Sequence, residues 1–141
     1  MEAVRVFLDT NIVLDFYTGR MGDGAAKTIV KAGQAPQFEL CISLITALNV
    51  LYVSRKYQCS LAARDISELF RILPMDYRQY CDAQSLEIDD FEDAVQIECA
   101  KQNDCRVIIT RDKAVLESGL NAPMLLSPEE FLRRIGVKST D

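Results

Sequence analysis

The sequence predicts an α/β fold built on a mostly parallel sheet. Three observations carry that expectation. Apolar runs of strand length recur at residues 4–8, 38–42, 71–75, 106–110 and 123–126. The segments between them have helical length and spacing, which suits crossovers between parallel strands. The first run stops on an acid, Asp9, followed by Thr10 and Asn11. In open α/β sheets, ligand sites gather at the carboxyl ends of strands.

Taken in order, Val4, Val6, Phe7 and Leu8 suit a strand buried on both faces. Asp9 then either caps the next helix or belongs to a site. That helix, 11–17, carries Ile12, Val13, Leu14, Phe16 and Tyr17, with Asp15 its one acid. A glycine-rich loop at 19–24 breaks it. A helix at 25–32 turns Ile29 and Val30 inward and Lys27 and Lys31 to water. After a turn at 33–36 comes the second strand. Ser43 is a good cap for a helix running to about Lys56. Leu44, Ile45, Ala47, Leu48, Val50, Leu51 and Val53 make that helix apolar almost all round, so it should be buried. Asn49, inside it, should be a buried amide in need of partners.

A helix at 61–70, with Ser60 as cap, leads to a third strand at 71–75 and a short helix at 77–86. Residues 87–93 include Glu87, Asp89, Asp90, Glu92 and Asp93, and a helix then runs to Gln102. The fourth strand ends on Thr110-Arg111-Asp112-Lys113, before a short helix at 114–118. The fifth strand leads into Ser127-Pro128-Glu129-Glu130, with Ser as cap, Pro at the first position and Glu three after the cap. One domain over 1–135 is expected, with 136–141 a short, frayed tail.

Composition narrows the chemistry. The 141 residues suffice for one domain with a substantial core. No apolar run is long enough to span a bilayer, and no basic-then-apolar leader precedes the first strand. The five cysteines, at 41, 59, 81, 99 and 105, include no C-x-x-C pair. They read as reduced thiols of a cytoplasmic protein with no membrane role. Histidine is absent. This excludes imidazole acid–base catalysis, Ser-His-Asp and Cys-His nucleophiles, and nearly all zinc chemistry. The net charge of −5 argues against a basic nucleic-acid surface. A polyanionic substrate would need metal ions, a local basic rim or a basic partner.

Three acids stand where chemistry could use them. Asp9 and Asp112 each follow an apolar strand, and Asp93 lies in the first turn of a helix. Carboxylates meeting in one pocket repel unless a hard cation neutralises them. Without histidine that cation would be Mg²⁺ or Mn²⁺. Capping explains the same residues: Asp90 with Asp93, and Asp89 with Glu92, have capping-box spacing, and Asp112 could cap the helix after its strand.

Three segments together resemble the PIN domain, the nuclease module of VapC-type toxins. They are Leu8-Asp9-Thr10-Asn11-Ile12-Val13-Leu14-Asp15, Asp90-Phe91-Glu92-Asp93-Ala94 and Ile109-Thr110-Arg111-Asp112-Lys113. The resemblance implies a three-layer α/β/α sandwich around about five strands, and a Mg²⁺- or Mn²⁺-dependent ribonuclease acting on single-stranded RNA. It implies Asp9, Asp93 and Asp112 as metal ligands, and Asn11 and Thr110 as groups orienting ligands or substrate; Asn49 is a further candidate for that role. Arg20, Arg111 and Lys113 are candidate phosphate contacts, with solvated loop cations the alternative. An antitoxin-like partner and a homodimer are expected by the same kinship.

The chain departs from the family pattern at two places. Many PIN domains carry a Glu on the helix after the second strand, where Asn49 stands here, in a run similar to a bacterial PIN subgroup. An amide there is either a weakened ligand or a structural group. Val115 and Leu116 replace an acid that many relatives carry after the Asp112 position. These departures motivate a second expectation, a catalytically impaired PIN-fold module that binds RNA or an antitoxin. A phosphatase with an aspartyl nucleophile is a third; it needs an acid where Asn11 stands.

Overall fold

Strand β1 (Val4–Leu8) alternates its side chains between two apolar layers. Val6 and Leu8 enter one core and Phe7 the other, so both faces of the sheet are covered. The computed structural model describes residues 2–19, 24–57 and 60–137. Helices α1 (Thr10–Thr18) and α2 (Gly24–Ala32) follow β1 and lead to β2 (Phe38–Ser43). Next come α3 (Leu44–Lys56), α4 (Ala63–Leu69), β3 (Arg71–Leu73), α5 (Tyr77–Ala83) and α6 (Phe91–Gln102). The chain finishes with β4 (Val107–Ile109), α7 (Lys113–Leu116), β5 (Met124–Leu126) and α8 (Pro128–Arg134).

The five strands are all parallel, in the order β3-β2-β1-β4-β5. Helices α1, α2, α3, α4 and α8 bury Ile12, Ile29, Val50, Ile66 and Phe131 against one face. Helices α6 and α7 bury Ile97, Cys99 and Val115 against the other. The expected three layers are therefore present. The strand order also locates a switch point. The chain steps outward from β1 through β2 to β3, then returns to β4 on the opposite side of β1. The crossovers diverge there, which opens a crevice above the carboxyl ends of β1 and β4.

Several local expectations are corrected. Helix α3 is not buried all round: Leu44, Leu48 and Tyr52, one turn apart, are 44%, 57% and 63% exposed. Thr46, Ala47, Val50 and Ser54 form its buried side. Apolar composition alone could not show that only one side meets the sheet. Asn49 is half-buried. Helix α4 begins at Ala63 because Asp65 reaches back to accept from the Ala62 N–H at 2.8 Å. Strand β3 stops at Leu73, since Pro74 has no N–H for the ladder. Ser43, Asp76 and Ser127 cap their helices through Thr46, Arg78 and Glu130 N–H groups. Cys41, Cys81, Cys99 and Cys105 are free thiols, three of them buried.

Candidate active site

The site starts from strand register. Leu8 pairs with Ile109, so the next residues, Asp9 and Thr110, emerge side by side at the sheet's carboxyl edge. The buried Thr110 hydroxyl donates to Asp9 Oδ2 at 2.9 Å. The same hydroxyl oxygen accepts from the Asp112 N–H at 3.0 Å. Thr110 thus ties the end of β1 to the loop that carries Asp112.

The three acids behave differently toward the capping alternative. Asp9 occupies the cap position of α1 but makes no side-chain cap bond. Its carboxylate is available to the crevice. Asp112 does cap α7: Oδ1 accepts from Ala114 and Val115 N–H at 2.9 and 3.3 Å. Asp90 caps α6 by accepting from the Asp93 N–H at 3.3 Å, and Asp93 sits in the first turn. Capping by Asp90 and Asp112 therefore aims α6 and α7 so that their first turns flank Asp9.

Charge accumulates where these elements meet. Burial pushes the Asp9 carboxyl above its ordinary proton affinity; the Thr110 hydroxyl and Thr10 N–H oppose this, and Asp112 and Glu92 add to it. Burial, contact with the Asp112 carboxyl and the charge of Asp9 push Asp93 up to about 7. Such mutual repulsion is what a hard cation would relieve. The donors are all oxygen, which suits Mg²⁺ or Mn²⁺ rather than a softer metal. Among the described residues, however, no three His, Cys, Asp or Glu side chains form a ready-made cluster. A small cavity of about 10 Å³ is lined by Asp9, Asp93, Gln96 and Thr110 with Phe7, Ile97, Ile108 and Val115. Asp112 touches Asp93 from beside it.

Beneath the acids lies a polar network that sequence reasoning missed. Thr10 and Thr46 hydroxyls lie 2.7 Å apart. Gln96 Nε2 donates to both, at 3.3 and 3.2 Å, and Ser43 Oγ donates to Thr46 at 3.2 Å. It joins α1, the start of α3, and α6 below the crevice. One signal was present: Gln96 stands three residues after Asp93, on the same helix face.

The remaining expected residues are less directly placed. Asn11 is exposed on the first turn of α1. The Asn49 side chain makes no hydrogen bond among the described residues, so its amide reaches neither a site acid nor a backbone partner. Lys113 is exposed at the start of α7. Arg111 is already engaged: Nε lies 3.8 Å from the buried Asp15 carboxylate and Nη1 3.3 Å from Glu129. Arg20 lies outside the described residues.

Comparison with known proteins gives the family and the fold. A model of the PIN domain matches residues 5–114, which include all three acid-bearing segments. Ribonuclease VapC1 of Aquifex aeolicus is 27% identical over 143 residues, covering 95% of this chain and 97% of that protein. A toxin–antitoxin complex from Klebsiella pneumoniae matches with TM-score 0.64 and 26% identity, over 89% of this chain and 98% of its own. VapBC2 from Rickettsia felis, solved with a DNA fragment from its promoter, matches with TM-score 0.58 and 15% identity, over 88% and 98% of the two chains. With the family pattern covering most of its length and its acids at the sheet's switch point, the chain belongs to the PIN domain family.

Proposed function

We propose that the chain is a metal-dependent ribonuclease of the VapC type, cleaving phosphodiester bonds in single-stranded RNA. The observation that carries this reading is the approach of Asp93 to both Asp9 and Asp112 near the carboxyl ends of β1 and β4, with raised proton affinity at Asp9 and Asp93. Kinship supports it, through a relative named as a ribonuclease and one solved as a toxin–antitoxin complex. Asp9 and Asp93, with Asp112 at their side, would hold Mg²⁺ or Mn²⁺. When bound, the cation supplies charge neutralisation and Lewis acidity at a phosphate. Thr110 fixes the Asp9 carboxylate, and the caps formed by Asp90 and Asp112 fix the helices around it. Asn11 and Lys113, both exposed at the rim, orient the strand and meet its phosphates.

The test is cleavage of a single-stranded RNA in Mg²⁺ or Mn²⁺ by the wild type and Asp9→Asn. Cleavage by the wild type and loss in the variant are expected; equal cleavage by both overturns the reading. A second reading is a PIN fold that binds RNA or an antitoxin without cutting. It is favoured by the unengaged Asn49 and by the two carboxylates, rather than three, that line the cavity. Asn49→Glu separates the two. A gain of cleavage from an inactive wild type supports the impaired module, whereas an active wild type rules it out.

The same kinship supports an antitoxin-like protein as partner; a homodimer and a place in the cytoplasm are proposed beside it. The open stripe of Leu44, Leu48 and Tyr52 on α3 favours association, and sedimentation of the purified chain at monomer mass would sink the dimer. Among the described residues, no helix is long and apolar enough to cross a membrane.

A further inference from the structure

We propose that the aromatic face formed by Tyr77, Tyr80 and Phe91 docks an arginine-bearing segment of a partner protein. The rings belong to α5 and to the first residue of α6. Tyr77 and Tyr80, three apart on one face of α5, stack with centroids 6.0 Å apart and planes at 17°. Phe91 meets Tyr80 edge-on, at 5.2 Å and 82°. The three are 76%, 51% and 39% exposed. Scattered apolar residues on a surface need no explanation, but a contiguous cluster of rings marks an interaction site. These rings are ordered before any partner arrives. The Asp76–Gln79 capping box fixes the start of α5, and the Gln79 and Gln102 side-chain amides bond at 3.0 Å to hold it on α6. A preordered face loses little side-chain freedom on binding.

The charge around the rings decides what they take. Residues 76–93 hold seven of the chain's 21 acids and one of its 16 bases, so the rest of the chain is close to neutral. Glu87, Asp89, Asp90 and Glu92, on either side of Phe91 in the sequence, are all exposed. The one base, Arg78, turns to Asp82, 3.9 Å away. A phosphate backbone would meet like charge here. A second copy of the chain docked on the same face would set acid against acid, and a purely apolar partner would bury carboxylates unpaired. A guanidinium suits both features at once: its plane stacks on a ring while its N–H groups reach a carboxylate. Charge complementarity therefore selects a cationic peptide, with Arg ahead of Lys, whose ammonium is a more strongly hydrated point charge.

The rings lie outside the acid cavity, so docking is measured in chelator, independently of cleavage. Anisotropy of a labelled Arg-Gly repeat peptide is followed against the full chain, beside a Lys-Gly repeat and a single-stranded oligouridine. The wild type is expected to bind the arginine peptide most tightly and oligouridine least. Tyr77→Ser and Tyr80→Ser leave the net charge unchanged. Each should weaken binding of the arginine peptide by about 2- to 30-fold, the span of cation–π contacts. Asp89→Asn should weaken both peptides and flatten their salt dependence. Thermal unfolding is the fold control, and Tyr77, the most exposed of the three, decides the matter if the Tyr80 variant does not fold. No binding of the arginine peptide by the wild type, or equal affinity in the wild type and the folded serine variants, overturns the proposal. Tighter binding of oligouridine overturns it in favour of RNA. A wild-type dimer that the serine variants convert to monomer in sedimentation overturns it in favour of a second copy.

Discussion

Thr110 makes the clearest case that one hydroxyl organises the site. It is buried, donates to Asp9 and accepts from the Asp112 N–H. Thr110→Val keeps the shape and removes both bonds. Cleavage of single-stranded RNA is expected to fall about 10- to 100-fold with the fold retained, because the Asp9 carboxylate loses its orientation. Asp93 carries a second prediction. Its carboxyl rises from the ordinary 3.8 to about 7, so the folded chain binds a proton that the unfolded chain does not. The stabilisation of that protonated form is complete below about pH 4 and is lost as pH climbs through about 7. In chelator, the melting temperature should therefore decline across this interval, and Asp93→Asn should flatten the decline. An identical pH profile in the variant would remove Asp93 as its source.

At the scale of elements, helix ends do most of the positioning. Asp90 and Asp112 are caps, and through capping they aim α6 and α7 at Asp9. The capping and site readings, rivals in the sequence, are complementary in the structure. The approach of α2 to β2 depends on Gly33. A Cβ at this position would lie 2.5 Å from Leu40 side-chain atoms in the core. Gly33→Ala is expected to destabilise the fold by about 1–3 kcal/mol, the usual cost of overpacking, as read by urea unfolding. Arg111 shows the opposite of what its loop position suggested. Asp15, buried on α1, and Glu129 on α8 hold it, so it links three elements.

For the whole molecule, the balance is between an acidic chain and a polyanionic substrate. A net charge of −5 and the mutual repulsion of Asp9, Asp93 and Asp112 concentrate negative charge around the crevice. An ion bound only to the folded state should shift unfolding by mass action, about 2.7 kcal/mol at one hundred times its Kd. Mn²⁺ is expected to raise the melting temperature of the wild type and to have little effect on Asp9→Asn. A shift of equal size in both proteins would place the ion elsewhere.

The sequence by itself determined the alternation of strands and helices, the caps at Ser43, Asp90 and Ser127, and the three acids worth attention. Those features depend on neighbours within a few residues, through period, turn chemistry and capping. That Asp9 and Asp93 line one cavity, with Asp112 against Asp93, was legible only as a resemblance. Tertiary structure decided what local pattern cannot encode. The register Leu8↔Ile109 places Thr110 against Asp9, 101 residues away in the chain. Packing of α6 over the switch point brings Gln96 to Thr10 across 86 residues. Which side of α3 meets the sheet decides that Leu44, Leu48 and Tyr52 face outward. The physical reason is the same in each case: sheet order and helix docking are set by the fit of the whole core, and a polar contact between distant residues exists only once that fit is made.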